Sequence, residues 1–101
     1  MKIVVNINYG GFDVSPKVLT ELGFPKPYTY LCNLQFGIES DNDNAYRADP
    51  RLINAIEKIG LRKSAGPYNE LKIVEIPDDV DWEIYEYDGI ETIHEKHRVW
   101  K

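Results

Sequence analysis

Residues whose types and spacing suggest chemistry lie in two places. The first is the turn Tyr9-Gly10-Gly11-Phe12, which closes the apolar run Ile3-Val4-Val5-Asn6-Ile7 and leads to Ser15-Pro16. A strand passing through a glycine turn into a helix start directs backbone N–H groups and a helix dipole at one point, an arrangement that suits an anion. Gly10 or Gly11 supplies positive φ, and Tyr9 or Phe12 would stack a flat group. The second is the pair Arg47 and Arg51, which straddles the Asp49-Pro50 start of a helix, where free N–H groups already favour negative charge. Guanidinium groups there would grip a phosphate or carboxylate through bidentate donors. The candidate ligand-binding set is therefore Tyr9, Gly10, Gly11, Phe12, Arg47 and Arg51, with a nucleotide-like anion as ligand. Each has a plainer alternative: a tight turn with two rings packed on the core, and salt bridges to the chain's abundant carboxylates. The glycine turn is neither a phosphate-binding loop ending in Gly-Lys-Ser/Thr nor the G-x-G-x-x-G fingerprint.

Other groupings carry less. His94 and His97 read His-Glu-Lys-His, which is not the H-E-x-x-H zinc pattern. Asp41-Asn42-Asp43-Asn44 begins like a calcium loop, but Ala45 and Tyr46 follow and Leu52 stands where the bidentate Glu belongs. No metal and no cofactor is expected. Asp79, Asp81 and Glu83 share one face if extended, as an Mg²⁺ or acid–base site would require, with a solvated acidic strand face as the plainer reading. Cys32 is the only cysteine, so no intrachain disulfide forms, and Leu31 and Leu34 beside it suggest a buried, inert thiol.

The elements that must position these groups follow from local patterns. Ile3 to Ile7 reads as a strand covered on both faces. Ser15 as cap and Pro16 as first helical residue predict a short helix to about Leu22, ended by Gly23, with Pro25 and Pro27 preventing continuation. Tyr28 to Phe36 reads as extended, and Glu39 to Asn44 as a surface loop. Asp49-Pro50 followed by Leu52, Ile53, Ile56 and Ile59 and closed by Gly60 predicts a second helix. After a basic, turn-rich connection from Leu61 to Asn69, Leu71 to Ile76 reads as a strand. Trp82 to Tyr87 and Ile90 to His94 form a hairpin about Asp88-Gly89, with apolar side chains inward and carboxylates outward. The expectation is an α+β or mixed α/β fold, one small sheet of about four to five strands with two helices packed on it.

Composition bounds the rest. A chain of 101 residues with 43% hydrophobic content builds one core, hence a single domain over residues 1–101. Net charge of −5 argues against general nucleic-acid binding, which draws on clustered Lys and Arg. Between Glu70 and Glu91 there are nine carboxylates and, among Lys and Arg, only Lys72, so this stretch offers either a solvated face or a docking surface for a basic partner. No apolar run nears the roughly 20 residues that span a bilayer, and the Met1-Lys2 start lacks the apolar segment of a signal peptide. The expected location is the cytoplasm.

Several blocks together resemble a group of small uncharacterised proteins of bacteriophages and prophages. They are Lys-Ile-Val-Val-Asn with Tyr9-Gly10-Gly11-Phe12, Tyr46-Arg47-Ala48-Asp49-Pro50-Arg51-Leu52-Ile53, Leu71 through Val80, Glu86-Tyr87-Asp88-Gly89, and His97-Arg98-Val99-Trp100. The likeness covers most of the chain and is weakest over residues 24–44. In that group a Cys commonly precedes the Tyr-Gly-Gly-Phe block and Gly-Leu-Ser follows it. Asn8 and Asp13-Val14-Ser15 stand there in this chain, so cysteine chemistry is not implied. The resemblance implies a phage accessory protein in the host cytoplasm and brings no activity with it. The expected function is a non-enzymatic binding module for a host factor or a small anionic ligand. The alternatives are a small hydrolase or transferase using the acidic strand with Arg47 or His94, and an oligomeric structural protein.

Overall fold

A computed structural model describes residues 1–24 and 30–95. The order of elements is β1 (Lys2–Asn6), α1 (Pro16–Leu22), two single 3-10 turns (Asn33–Phe36 and Ala45–Ala48), α2 (Pro50–Ile59), α3 (Leu61–Ser64), β2 (Leu71–Glu75), β3 (Trp82–Tyr87) and β4 (Ile90–Glu95). The α+β class holds, but the expected single sheet is replaced by two antiparallel two-stranded sheets, β1–β2 and β3–β4. The reason lies at the second edge of β1. Backbone bonds from Ile7 N to Glu70 O and from Ile76 N to Met1 O show that odd-numbered positions of β1 face β2. The even-numbered positions then face away from it, and there side chains meet the edge instead of a third strand. A third helix, of one turn, also occupies the connection expected to be irregular.

Both helix starts form where the cap-plus-proline pattern places them. Asp49 caps α2 by accepting from Arg51 N, and Leu52, Ile53 and Ile56 are buried, each contributing about 1.5–3 kcal/mol by leaving water. Ser15 is the cap residue of α1 with extended backbone, but its hydroxyl donates to Lys63 O, 2.7 Å away, and so ties α1 to α3. Gly23 ends α1 with left-handed geometry, φ +77°.

The extended segment expected up to Phe36 is a 3-10 turn from Asn33. Side-chain bonds to the backbone outcompete a ladder here. Gln35 accepts from Cys32 N and donates to Tyr30 O, while the Asn33 amide donates to Asn42 O and accepts from Tyr46 N. This turn leaves Cys32 exposed, not buried. The Pro25, Pro27 and Tyr28 part of that expectation, and everything expected beyond Glu95 including His97, lie outside the described residues.

β1 is covered on both faces, as its β-branched run implies. Val4 packs with Val18, Leu19, Leu52, Ile53 and Ile56 of the helices. Ile3 and Val5 pack on Trp82, with Ile84 and Ile93 of the hairpin beside them. The hairpin pairs Trp82 with Glu95 through Tyr87 with Ile90, and its turn has positive φ at both Asp88 (+52°) and Gly89 (+86°). That is the mirror-image turn whose twist matches the strands. No helix among the described residues is long and apolar enough to cross a membrane.

The hairpin tip rests on the glycine turn. Gly10 and Gly11 both have positive φ, +105° and +80°. A Cβ on Gly89 would lie 2.5 Å from Gly11 N and 2.6 Å from Gly10 N, whereas a Cβ on Gly11 meets nothing within 4 Å. Gly89→Ala is therefore expected to lower stability by more than about 2 kcal/mol, combining backbone strain with a clash against main chain. Gly11→Ala should lose only the ~1 kcal/mol of the left-handed conformation. Urea unfolding of both variants decides the matter, and equal losses would show that the tip does not seat on the turn.

Candidate functional site

Arg47, in the 3-10 turn before α2, lies under the hairpin at 4% exposure. Its guanidinium makes a bidentate pair with Glu91 of β4: Nη1 to Oε1 at 2.7 Å and Nη2 to Oε2 at 2.8 Å. Nη1 also donates to Val4 O and Nε to the Tyr46 hydroxyl, so four of its five donors are matched among the described residues. The Phe12 ring covers the guanidinium, with its carbon 3.6 Å from the ring centre. Burial works against the charged form of Arg47, but the Glu91 and Tyr46 bonds outweigh it and leave its pKa raised.

Glu91 Oε1 also accepts from Asn6 N at 2.8 Å. Val4 O and Asn6 N are thus the edge groups of β1 that these two side chains satisfy. Asn6 itself is fully buried. Its amide donates to Asn8 O and Gly89 O, both at 2.6 Å, and its carbonyl accepts from Asn8 N and Glu70 N. One asparagine therefore links β1, the glycine turn, the segment entering β2 and the hairpin tip.

Beside this network is a cleft of about 270 Å³, lined by the Gly11–Val14 loop, Tyr30, Leu31, Tyr46, Arg47, Glu86 and Glu91. Of the residues singled out in the sequence, Gly11, Phe12 and Arg47 come together here. Tyr9 and Gly10 instead border a shallow hollow with Pro67 and Tyr68. Arg51 is engaged at the α2 cap, bonding both carboxylate oxygens of Asp49 and Phe36 O. The Arg51 side chain, more than burial opposes it, holds the Asp49 carboxyl below its ordinary range.

His94 lies on the other face of the hairpin, stacked on Tyr85 at 4.3 Å and bonded to Thr92. The Tyr85 hydroxyl donates to Glu83, which raises its pKa. Among the described residues no group of three or more His, Cys, Asp or Glu side chains could hold a metal ion.

Contrary to the outward placement expected of the hairpin's carboxylates, Glu91 is turned inward to meet Arg47, while Tyr85 and Tyr87 face out. Glu91 and Asn6 escaped the sequence reading, and each had left a signal. Glu91 shares the inward face of the hairpin with Trp82, Ile84 and Ile93, and Asn6 interrupts a β-branched run. A polar group in an apolar position implies a buried partner. Compared with protein-family models, curated proteins and solved structures, the chain finds no match.

Breaking one side of a buried pair leaves an uncompensated charge. Arg47→Met or Glu91→Leu alone is expected to lower stability by about 3–5 kcal/mol, while the double variant loses clearly less than the sum. Additive losses in urea unfolding would show that the two residues act independently. For Asp49, a folded pKa below the ordinary value of 3.8 means stability present above that value and lost as pH falls through the folded pKa. The melting-temperature gap between wild type and Asp49→Asn, which keeps a capping oxygen, should be full near neutral pH and close below about 3.8. A gap unchanged in acid would remove the charge contribution.

Proposed function

We propose that this chain acts by occupancy, as a binding module for a basic partner protein that docks on the outer face of the β3–β4 hairpin. The observation that carries this reading is the exposure of Tyr85 and Tyr87, 53% and 81%, on a ribbon whose same face holds Glu83 and His94. Tyrosines are favoured at interfaces because each offers a large apolar body with a polar tip and little side-chain entropy to lose. They belong to a stretch with nine carboxylates and only Lys72 among Lys and Arg. Glu91 is neutralised by Arg47, and the remaining negative charge steers a positively charged surface and selects against an acidic one. The resemblance to phage-encoded proteins makes a host protein in the cytoplasm the natural partner.

The anionic-ligand reading has less support, because an anion at Arg47 would have to displace Glu91 from a buried bidentate pair. The hydrolase or transferase reading uses the acidic strand with Arg47 or His94, and it has less support because Arg47 is held in the buried pair with Glu91 and His94 is stacked on Tyr85 and bonded to Thr92. Immobilised protein incubated with bacterial lysate is expected to retain a basic protein at low salt and release it as salt rises. The Tyr87→Ala, Glu83→Lys double variant, with unchanged melting temperature, should lose that protein. Retention of the same protein by wild type and variant alike would overturn the hairpin face as the docking surface.

A further inference from the structure

We infer that the cleft beside the glycine turn, on the side of the hairpin opposite Tyr85 and His94, is a pocket for a guanidinium group, taking one arginine side chain from a segment of the partner that reaches past the hairpin tip. This deepens the reading of a basic partner and rests on it for the source of the arginine, but the pocket is argued from its own geometry.

Size comes first. At about 270 Å³ the cleft has room for a guanidinium-bearing side chain. Charge comes second. Three carboxylates, Asp13, Glu86 and Glu91, line it and, among the described residues, one cation, Arg47. The bidentate bonds make Arg47 and Glu91 a neutral pair, so Asp13 and Glu86 set the sign of the lining. Each is oriented by one backbone bond, Val14 N to Asp13 Oδ1 and Gly89 N to Glu86 Oε1, both 2.8 Å. An arriving anion meets repulsion from both, whereas a guanidinium gains charge-assisted bonds.

The walls come third. Phe12, Tyr46, Leu31 and Tyr30 are apolar or aromatic, and Tyr30 is 89% exposed at the rim. A guanidinium is planar and weakly hydrated, so it stacks on such a ring while its edges donate to carboxylates. Arg47 against Phe12 already shows that pairing within this same fold. A neutral apolar side chain would fill the walls but strip water from two carboxylates without replacing their donors.

The test uses two-dimensional NMR of the full chain titrated with N-acetyl-argininamide. The neutral isostere N-acetyl-citrullinamide and adenosine monophosphate serve as separate arms. Argininamide is expected to shift the amides of Gly11, Phe12 and Val14, and the citrulline compound to bind about tenfold more weakly, since charge-assisted bonds are lost. Glu86→Gln, which keeps an acceptor for Gly89 N, should weaken argininamide about threefold, and Tyr30→Ala should weaken it further. Equal binding of the citrulline and arginine compounds, a response to the nucleotide alone, or no response at these amides would each overturn the pocket. Capture of a basic protein by the hairpin face with no argininamide response would overturn the pocket alone. An argininamide response without any captured basic protein would leave the pocket standing and overturn the partner reading.

Discussion

The fold turns on how the second edge of β1 is satisfied. A strand buried on both faces still has a row of N–H and C=O groups on the side away from its partner strand, and leaving them dry and unpaired would be costly. In place of a third strand, the chain brings the Glu91 carboxylate to Asn6 N and the Arg47 guanidinium to Val4 O. Two charges that would be prohibitive singly neutralise each other there. Because Glu91 belongs to β4 and Arg47 to the turn before α2, the same bonds join the hairpin, the first sheet and the helical layer.

The second tie is the amide of Asn6, whose donors reach Asn8 O and Gly89 O. It holds the hairpin tip against Gly10 and Gly11, where any side chain on Gly89 would collide with main chain. Positive φ at the glycine turn is therefore a condition of assembly. Seen this way, the turn that most resembles an anion cradle is a seat for another part of the protein. The cleft next to it takes its polarity from the carboxylates brought in on the hairpin and at Asp13.

Local signals carried the elements well where one residue type has one strong backbone preference. Asp49-Pro50 and Ser15-Pro16 start helices, Gly23 ends one, and Asp88-Gly89 turns the hairpin. They failed between Tyr30 and Phe36, where the backbone follows side-chain bonds from Gln35 to Tyr30 and from Asn33 to Asn42 and Tyr46, while the loop expected over Glu39 to Asn44 is present. Of the candidate site, Gly11, Phe12 and Arg47 were legible as a group. Tyr9, Gly10 and Arg51 looked equivalent to them because spacing along the chain does not report which side of a turn or which cap a side chain serves.

What the sequence by itself determined is the class of fold, the strands and longer helices, the hairpin and the acidic character of its last third. These depend on backbone preferences and apolar periodicity acting over a few residues. Only the tertiary structure decided that the strands form two sheets, that Arg47 answers Glu91, and that Asp13 and Glu86 come to line one cleft. Each of those depends on residues more than 40 positions apart coming together, for Arg47 and Glu91 out of water, where a charge must find its opposite. A one-dimensional pattern can mark a charge as a candidate, but its partner is set by the folding of the whole chain.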